Sequence, residues 1–118
     1  MRSSNAVALS GSTSTDLTSS GIYVANMSTG SVVVNVVGAT GPDGAVKVQA
    51  SNDVSTGFPA STREPSVWVD TGATVTVNAN GTFLIAPFNL SYQFIRVVYT
   101  RVASTGGVLT ATFNAIGA

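Results

Sequence analysis

The sequence predicts an all-β domain, an antiparallel β-sandwich of jelly-roll type with about eight strands. Three observations carry this. From residue 20 onward the chain falls into short runs rich in Val, Thr, Ile and aromatic residues, divided by Gly, Asn, Asp or Pro. Within most runs apolar residues recur at every second position, the period of a strand with one face on a core. No stretch of helical length carries an apolar stripe at the 3.6-residue period. At 118 residues and 44% hydrophobic, the chain has the size of one such domain with one core.

Residues 1–20 are dominated by Ser, Thr and Gly, with one apolar patch from Ala6 to Leu9. Such a segment cannot bury enough surface to order itself alone. It is read as an N-terminal arm that orders on a neighbour, with a frayed terminus holding one edge strand as the alternative; 21–118 is the sandwich domain. The runs then follow in order: "GIYVANM", "SVVVNVVGA", "AVKVQAS", "SVWVDTG", "ATVTVNA", "GTFLIAPF", "YQFIRVVYTRV" and "GVLTATFNAIG". "GPDG" (Gly41 to Gly44) and "NANG" (Asn78 to Gly81) read as turns, because Pro presets one φ while Gly and Asn tolerate positive φ. Alternation assigns to the core Val46 and Val48, Val75 and Val77, Phe83 and Ile85, Ile95, Val97 and Tyr99, and Leu109, Ala111 and Phe113.

Two runs are apolar on both faces. In "YQFIRVVYT" the face opposite the core carries Tyr92, Phe94, Arg96 and Val98, and in "SVVVNVVGA" it carries Val33 and Val37. Something must cover these second faces, and they are expected to form an oligomer interface. Arg96 is the misfit of that set. A buried guanidinium needs a partner, from another subunit or from one of the chain's own acids. The long connection Ser51 to Ser66, with Phe58 and Arg63, reads either as a contact loop or as a crossover between sheets.

Five basic and five acidic residues give zero formal net charge, and charged residues make up 8% of the chain. No basic stripe exists to neutralise phosphates, so a nucleic-acid partner is not expected. A surface this poor in charge opposes association weakly, which suits part of an assembly. No apolar run approaches a membrane span, and the opening residues lack the apolar stretch of a signal peptide, so synthesis in a cytoplasm is expected.

The chain has no His and no Cys. Ser-His-Asp and Cys-His catalysis and His- or Cys-ligated zinc are therefore excluded. Asp43, Asp53, Glu64 and Asp70 sit in turns or loop ends, where burial cannot raise a carboxyl into the range of a general acid. Lys47 falls on the polar side of its run. No enzymatic activity, cofactor or metal is expected. Trp68, the single tryptophan, is either exposed beside Asp70 as a stacking platform for a sugar, with Tyr23 and Phe58 as further candidates, or a core residue whose flanking valines face a neighbour.

Over Tyr92 to Ala118, "YQFIRVVYTRVASTGGVLTATFNAIGA", the sequence resembles the C-terminal part of small virion structural proteins of tailed bacteriophages. The likeness extends more loosely back to about residue 45, including "VQASND" and "SVWVD". It implies a β-sandwich capsid decoration (cement) protein without catalytic residues, acting as a homotrimer on the major capsid protein at the exterior of the virion. Ala6, Val7 and Leu9 of the arm and Phe58 and Arg63 of the long connection are the expected capsid contacts. A carbohydrate-binding module of a phage tail or fibre, recognising host glycans through Trp68, Tyr23 or Phe58, is the alternative.

Overall fold

The computed structural model describes the backbone of residues 2–24, 27–52 and 67–117. Nine strands form among them: β1 (Arg2–Ser12), β2 (Leu17–Thr18), β3 (Ile22–Tyr23), β4 (Thr29–Val37), β5 (Thr40–Ser51), β6 (Val69–Val77), β7 (Gly81–Asn89), β8 (Phe94–Thr105) and β9 (Val108–Gly117). Sheet A has the order β1-β9-β4-β7, and sheet B the order β2-β8-β5-β6, with β3 also on β8. All pairs are antiparallel. Because β2 and β3 line the same edge of β8 in succession, they act as one interrupted strand. The result is the two-sheet, eight-position jelly roll that the turn spacing predicts.

The core lies between the inner faces. Val32, Val34 and Val36 of β4 meet Val46 and Val48 of β5, Ile95, Val97 and Tyr99 of β8, and Leu109, Ala111 and Phe113 of β9. Those of β5, β8 and β9 are buried as alternation assigns them, and on the doubly apolar β4 it is the Val32 face that turns inward. Each Val, Leu, Ile or Phe among them contributes about 1.5–3 kcal/mol when fully buried. Val77 and Ile85 are buried with them, while Val75 and Phe83 are partly buried against the cluster.

Four elements depart from the sequence reading. Residues 2–12 are not an arm apart from the sandwich but an edge strand of sheet A, which is the edge strand of the alternative reading. They pair with β9 from Arg2↔Gly117 to Ser12↔Val108, and Leu9 enters the core at 6% exposure. The sheet satisfies backbone groups that composition alone suggests would stay solvated. "GPDG" is not a turn but the irregular start of β5, and the chain reverses instead at Gly38 and Ala39. "SVWVDTG" and "ATVTVNA" are one strand broken by an irregularity that holds Gly72 at φ 91°. The connection after Ser51 joins β5 to β6 within sheet B, so it is no crossover between sheets.

The connections gather at two ends. At one, Asn80 clamps Ala39: the Ala39 amide donates to Asn80 Oδ1 and Asn80 Nδ2 donates to the Ala39 carbonyl, both at 2.9 Å. Gly107, at φ 74°, packs on the same residue so closely that a Cβ would lie 2.5 Å from the Ala39 nitrogen. Only glycine fits there. Tyr99 donates its hydroxyl to the Thr13 carbonyl at 3.0 Å, and burial pushes its pKa above the usual phenol value. At the other end Val24 donates to the Gln93 carbonyl, Gln93 to Asn52 Oδ1 and Ser28 to the Ile116 carbonyl.

Candidate functional site

With both inner faces spent on the core, the two outer faces are the broad surfaces that the described residues leave to a partner. On sheet A, register places Val7, Thr112, Val33 and Leu84 side by side across all four strands. One row over stand Ser10, Thr110, Asn35 and Thr82, and beyond them Val108 beside Val37. Val7 is 62% exposed, Val37 61%, Leu84 58% and Val108 51%, with Val33 partly covered among them. Arg2 is the only charged residue in the four strands. Short hydroxyl and amide side chains between valines and a leucine lose little on leaving water, since no ion must be desolvated.

The outer face of sheet B is built differently. Phe94 is 1% exposed yet stands outside the core cluster, and Tyr23 of β3 meets its ring edge-on with centroids 5.3 Å apart. Two residues on, the Arg96 guanidinium lies 4.6 Å from the centroid of Trp68 and donates from Nε to Gln49 Oε1 at 2.7 Å. Gln49 Nε2 donates to Asp70 Oδ1 at 2.9 Å, and Lys47 Nζ lies 3.2 Å from the same carboxylate. A polar ladder thus crosses β8, β5 and β6. The Gln49 amide and then Lys47 hold the Asp70 carboxyl below its ordinary value of 3.8.

The expected interface residues therefore do not form one patch. Val33 and Val37 lie on the outer face of sheet A, and Phe94, Arg96 and Val98 on that of sheet B, on opposite sides of the sandwich. Phe94 is covered by its own chain. Arg96 is paired within the chain through the Gln49 amide, and among the described residues no carboxylate bonds it directly. Tyr92 precedes β8 and packs partly buried against the core. Among the expected capsid contacts, Leu9 is a core residue and Val7 is exposed. Ala6 occupies the β1 position opposite Phe113, and Phe58 and Arg63 lie outside the described residues.

Trp68 is neither fully exposed nor in the core: it is half-buried against Arg96, while Val67 and Val69 beside it are exposed. Sequence reasoning missed Gln49 and Asp70 as the means of satisfying Arg96, because a strand register decides which residues stand opposite one another. It also passed over Leu84 and Val108 as surface residues. The signal for Leu84 was present, since it lies between core-assigned Phe83 and Ile85 in "GTFLIAPF". Among the described residues no three acidic side chains gather as metal ligands would.

No family model matches this chain, and no curated protein matches it. Solved structures do. The PBSX exported protein XepA superposes with a TM-score of 0.72 at 12% identity, over 98% of this chain. That match spans 37% of XepA, so the chain corresponds to about a third of that protein. PirA matches with a TM-score of 0.53 at 15% identity, covering 94% of this chain and 92% of PirA. A carbohydrate-binding module specific for non-crystalline cellulose, CBM28, matches with a TM-score of 0.50 at 14% identity, covering 93% of this chain and 73% of the module. At these identities the likeness is one of fold. The fold is the β-sandwich.

Proposed function

We propose that the protein is a non-enzymatic structural component of a phage virion, a capsid decoration protein that docks on the capsid surface through the outer face of sheet A. The observation that carries this is the uncharged four-strand face with Val7, Val33, Val37, Leu84 and Val108 along it. Exposed apolar side chains gathered on one uncharged face of a small domain, separated only by short uncharged ones, mark a contact with another macromolecule. The resemblance of residues 92–118 to phage virion proteins agrees with this reading. The expected three-fold association used the face of Phe94, Arg96 and Val98. Because that ring is covered by its own chain, the reading keeps the capsid protein as partner and gives up that interface.

Co-sedimentation with purified particles lacking the protein tests the proposal. The wild-type chain should bind at a copy number close to that of the capsid subunits. The double variant Val33→Lys, Leu84→Lys should lose binding at least tenfold while its melting temperature stays near wild type. Binding unaffected by the two lysines would refute the docking face.

A second reading has its own observation. On sheet B, Trp68 stands half-buried beside Arg96, Gln49, Asp70 and Lys47, an aromatic surface flanked by fixed donors and acceptors of the kind that orients a sugar. Under that reading the chain recognises host glycans from a tail or fibre. A few copies per particle, with retention on a glycan column that Trp68→Ala abolishes, would favour it over decoration.

A further inference from the structure

We infer that the first half of β1 pairs antiparallel with the same stretch of a second copy of the chain, across a two-fold axis beside Asn5. An open strand edge offers unpaired backbone N–H and C=O groups to another strand, and stable monomers blunt such edges. Three of the four edges here are blunted. On β7, Pro87 removes a donor. On β6 the register breaks at Gly72, where the Thr71 hydroxyl donates to the Val48 carbonyl in place of a regular ladder bond. The β2/β3 edge is interrupted at Ser19, whose amide and hydroxyl bond the Val97 carbonyl and amide at 2.9 Å each.

β1 is different. It runs for 11 residues, has no Pro, and carries no charge after Arg2. Its second half lies close to the chain's own Leu17, whose side chain would come within 2.9 Å of a Cβ at Gly11. Its one irregularity, between Val7 and Leu9, separates that half from the regular stretch Arg2–Val7. Along that stretch the only described strand partner is β9, on one side.

The occupant follows from Asn5. Its side chain is exposed and donates from Nδ2 to Asn114 Oδ1 on the neighbouring strand. Among the described residues, one N–H and the carbonyl of that carboxamide have no further partner. Two such carboxamides facing each other across a two-fold axis exchange one hydrogen bond each way, so Asn5 is complementary to itself. Setting Asn5 opposite Asn5 also puts Ser3 opposite Val7, a register that keeps each position on the same face in both copies. Sheet A then continues into its copy, and its uncharged outer face continues with it. Zero formal net charge leaves little repulsion between the copies.

The chain contains no cysteine, so a single introduced one reports contact directly. Opposite residues of an antiparallel pair have Cα atoms about 4.5–5.5 Å apart, within the span of a disulfide. Under mild oxidation Asn5→Cys should form a covalent dimer at least tenfold faster than Thr82→Cys, an equally exposed site on the far edge strand. Adding Val33→Lys and Leu84→Lys, which together disable the docking face, should leave that ratio unchanged, so this pairing and the capsid contact fail separately. Equal crosslinking rates at the two sites would overturn the inference. So would a fast Asn5→Cys reaction that Val7→Lys, placed beside the axis, does not slow.

Discussion

The outer face of sheet A exposes Val7, Val37, Leu84 and Val108 with no charged side chain among them, whereas on sheet B Tyr23 meets Phe94 and Trp68 lies against Arg96. Both faces carry apolar residues where a solvated strand would carry polar ones. The difference lies in the reach of the neighbours. Around Phe94 and Arg96 stand Tyr, Trp and Gln, long enough to fold across the sheet and satisfy what lies beneath. Around Val33 and Leu84 stand Thr, Ser, Asn and Val, which end too close to the backbone to cover anything. An apolar outer position is thus covered by its own chain on one side of the sandwich and left for a partner on the other.

The strongest way to break this comparison is to make the same kind of cut on each side. Phe94→Ala should cost about 3–5 kcal/mol, as truncation of a buried aromatic does, and should leave the number of subunits unchanged. Leu84→Ala should stay within about 0.5 kcal/mol of wild type. Urea denaturation of the two variants decides it, and equal losses would erase the distinction between the faces.

A smaller effect sharpens the account of sheet B. Trp68→Ala removes the ring over a partly solvated guanidinium and should cost about 1 kcal/mol. In the double variant with Arg96→Ala the two losses should fall short of additive. Strict additivity would mean that the stacking contributes nothing.

The smallest effect concerns pH. The Asp70 carboxyl sits below its ordinary value of 3.8 in the folded chain because Gln49 and Lys47 bond its charged form. The unfolded chain therefore takes up a proton before the folded chain does, and folding loses this contribution as pH falls through and below about 4. Asp70 is exposed, so the effect is slight. Melting temperatures of wild type and Asp70→Asn should differ at pH 7 and converge near pH 2. A difference that persists unchanged at pH 2 would point to a cause other than the charge.

Much of the fold is legible in the sequence because alternation encodes which side of a strand meets the core. Leu109, Ala111 and Phe113, or Ile95, Val97 and Tyr99, announce their burial by spacing alone. What spacing does not encode is what lies across a sheet. β1 reads as a polar arm because its stability comes from ten residues of pairing with β9, a strand about a hundred residues away. The cover over Phe94 and Arg96 comes from Tyr23 and Trp68, which only the register brings near. The surface on sheet A is half legible: Val33 and Val37 show it, but its width depends on Val7, Leu84 and Val108 arriving beside them from three other strands.

The most direct test of the central claim is hydroxyl-radical footprinting of the protein free and bound to particles. Docking through sheet A predicts that labelling of Val33, Val37, Leu84 and Val108 falls severalfold on binding, while Trp68 and Tyr23 label as in the free protein. Protection of Trp68 and Tyr23, with the sheet A residues labelled as before, would contradict it and move the contact to the opposite face.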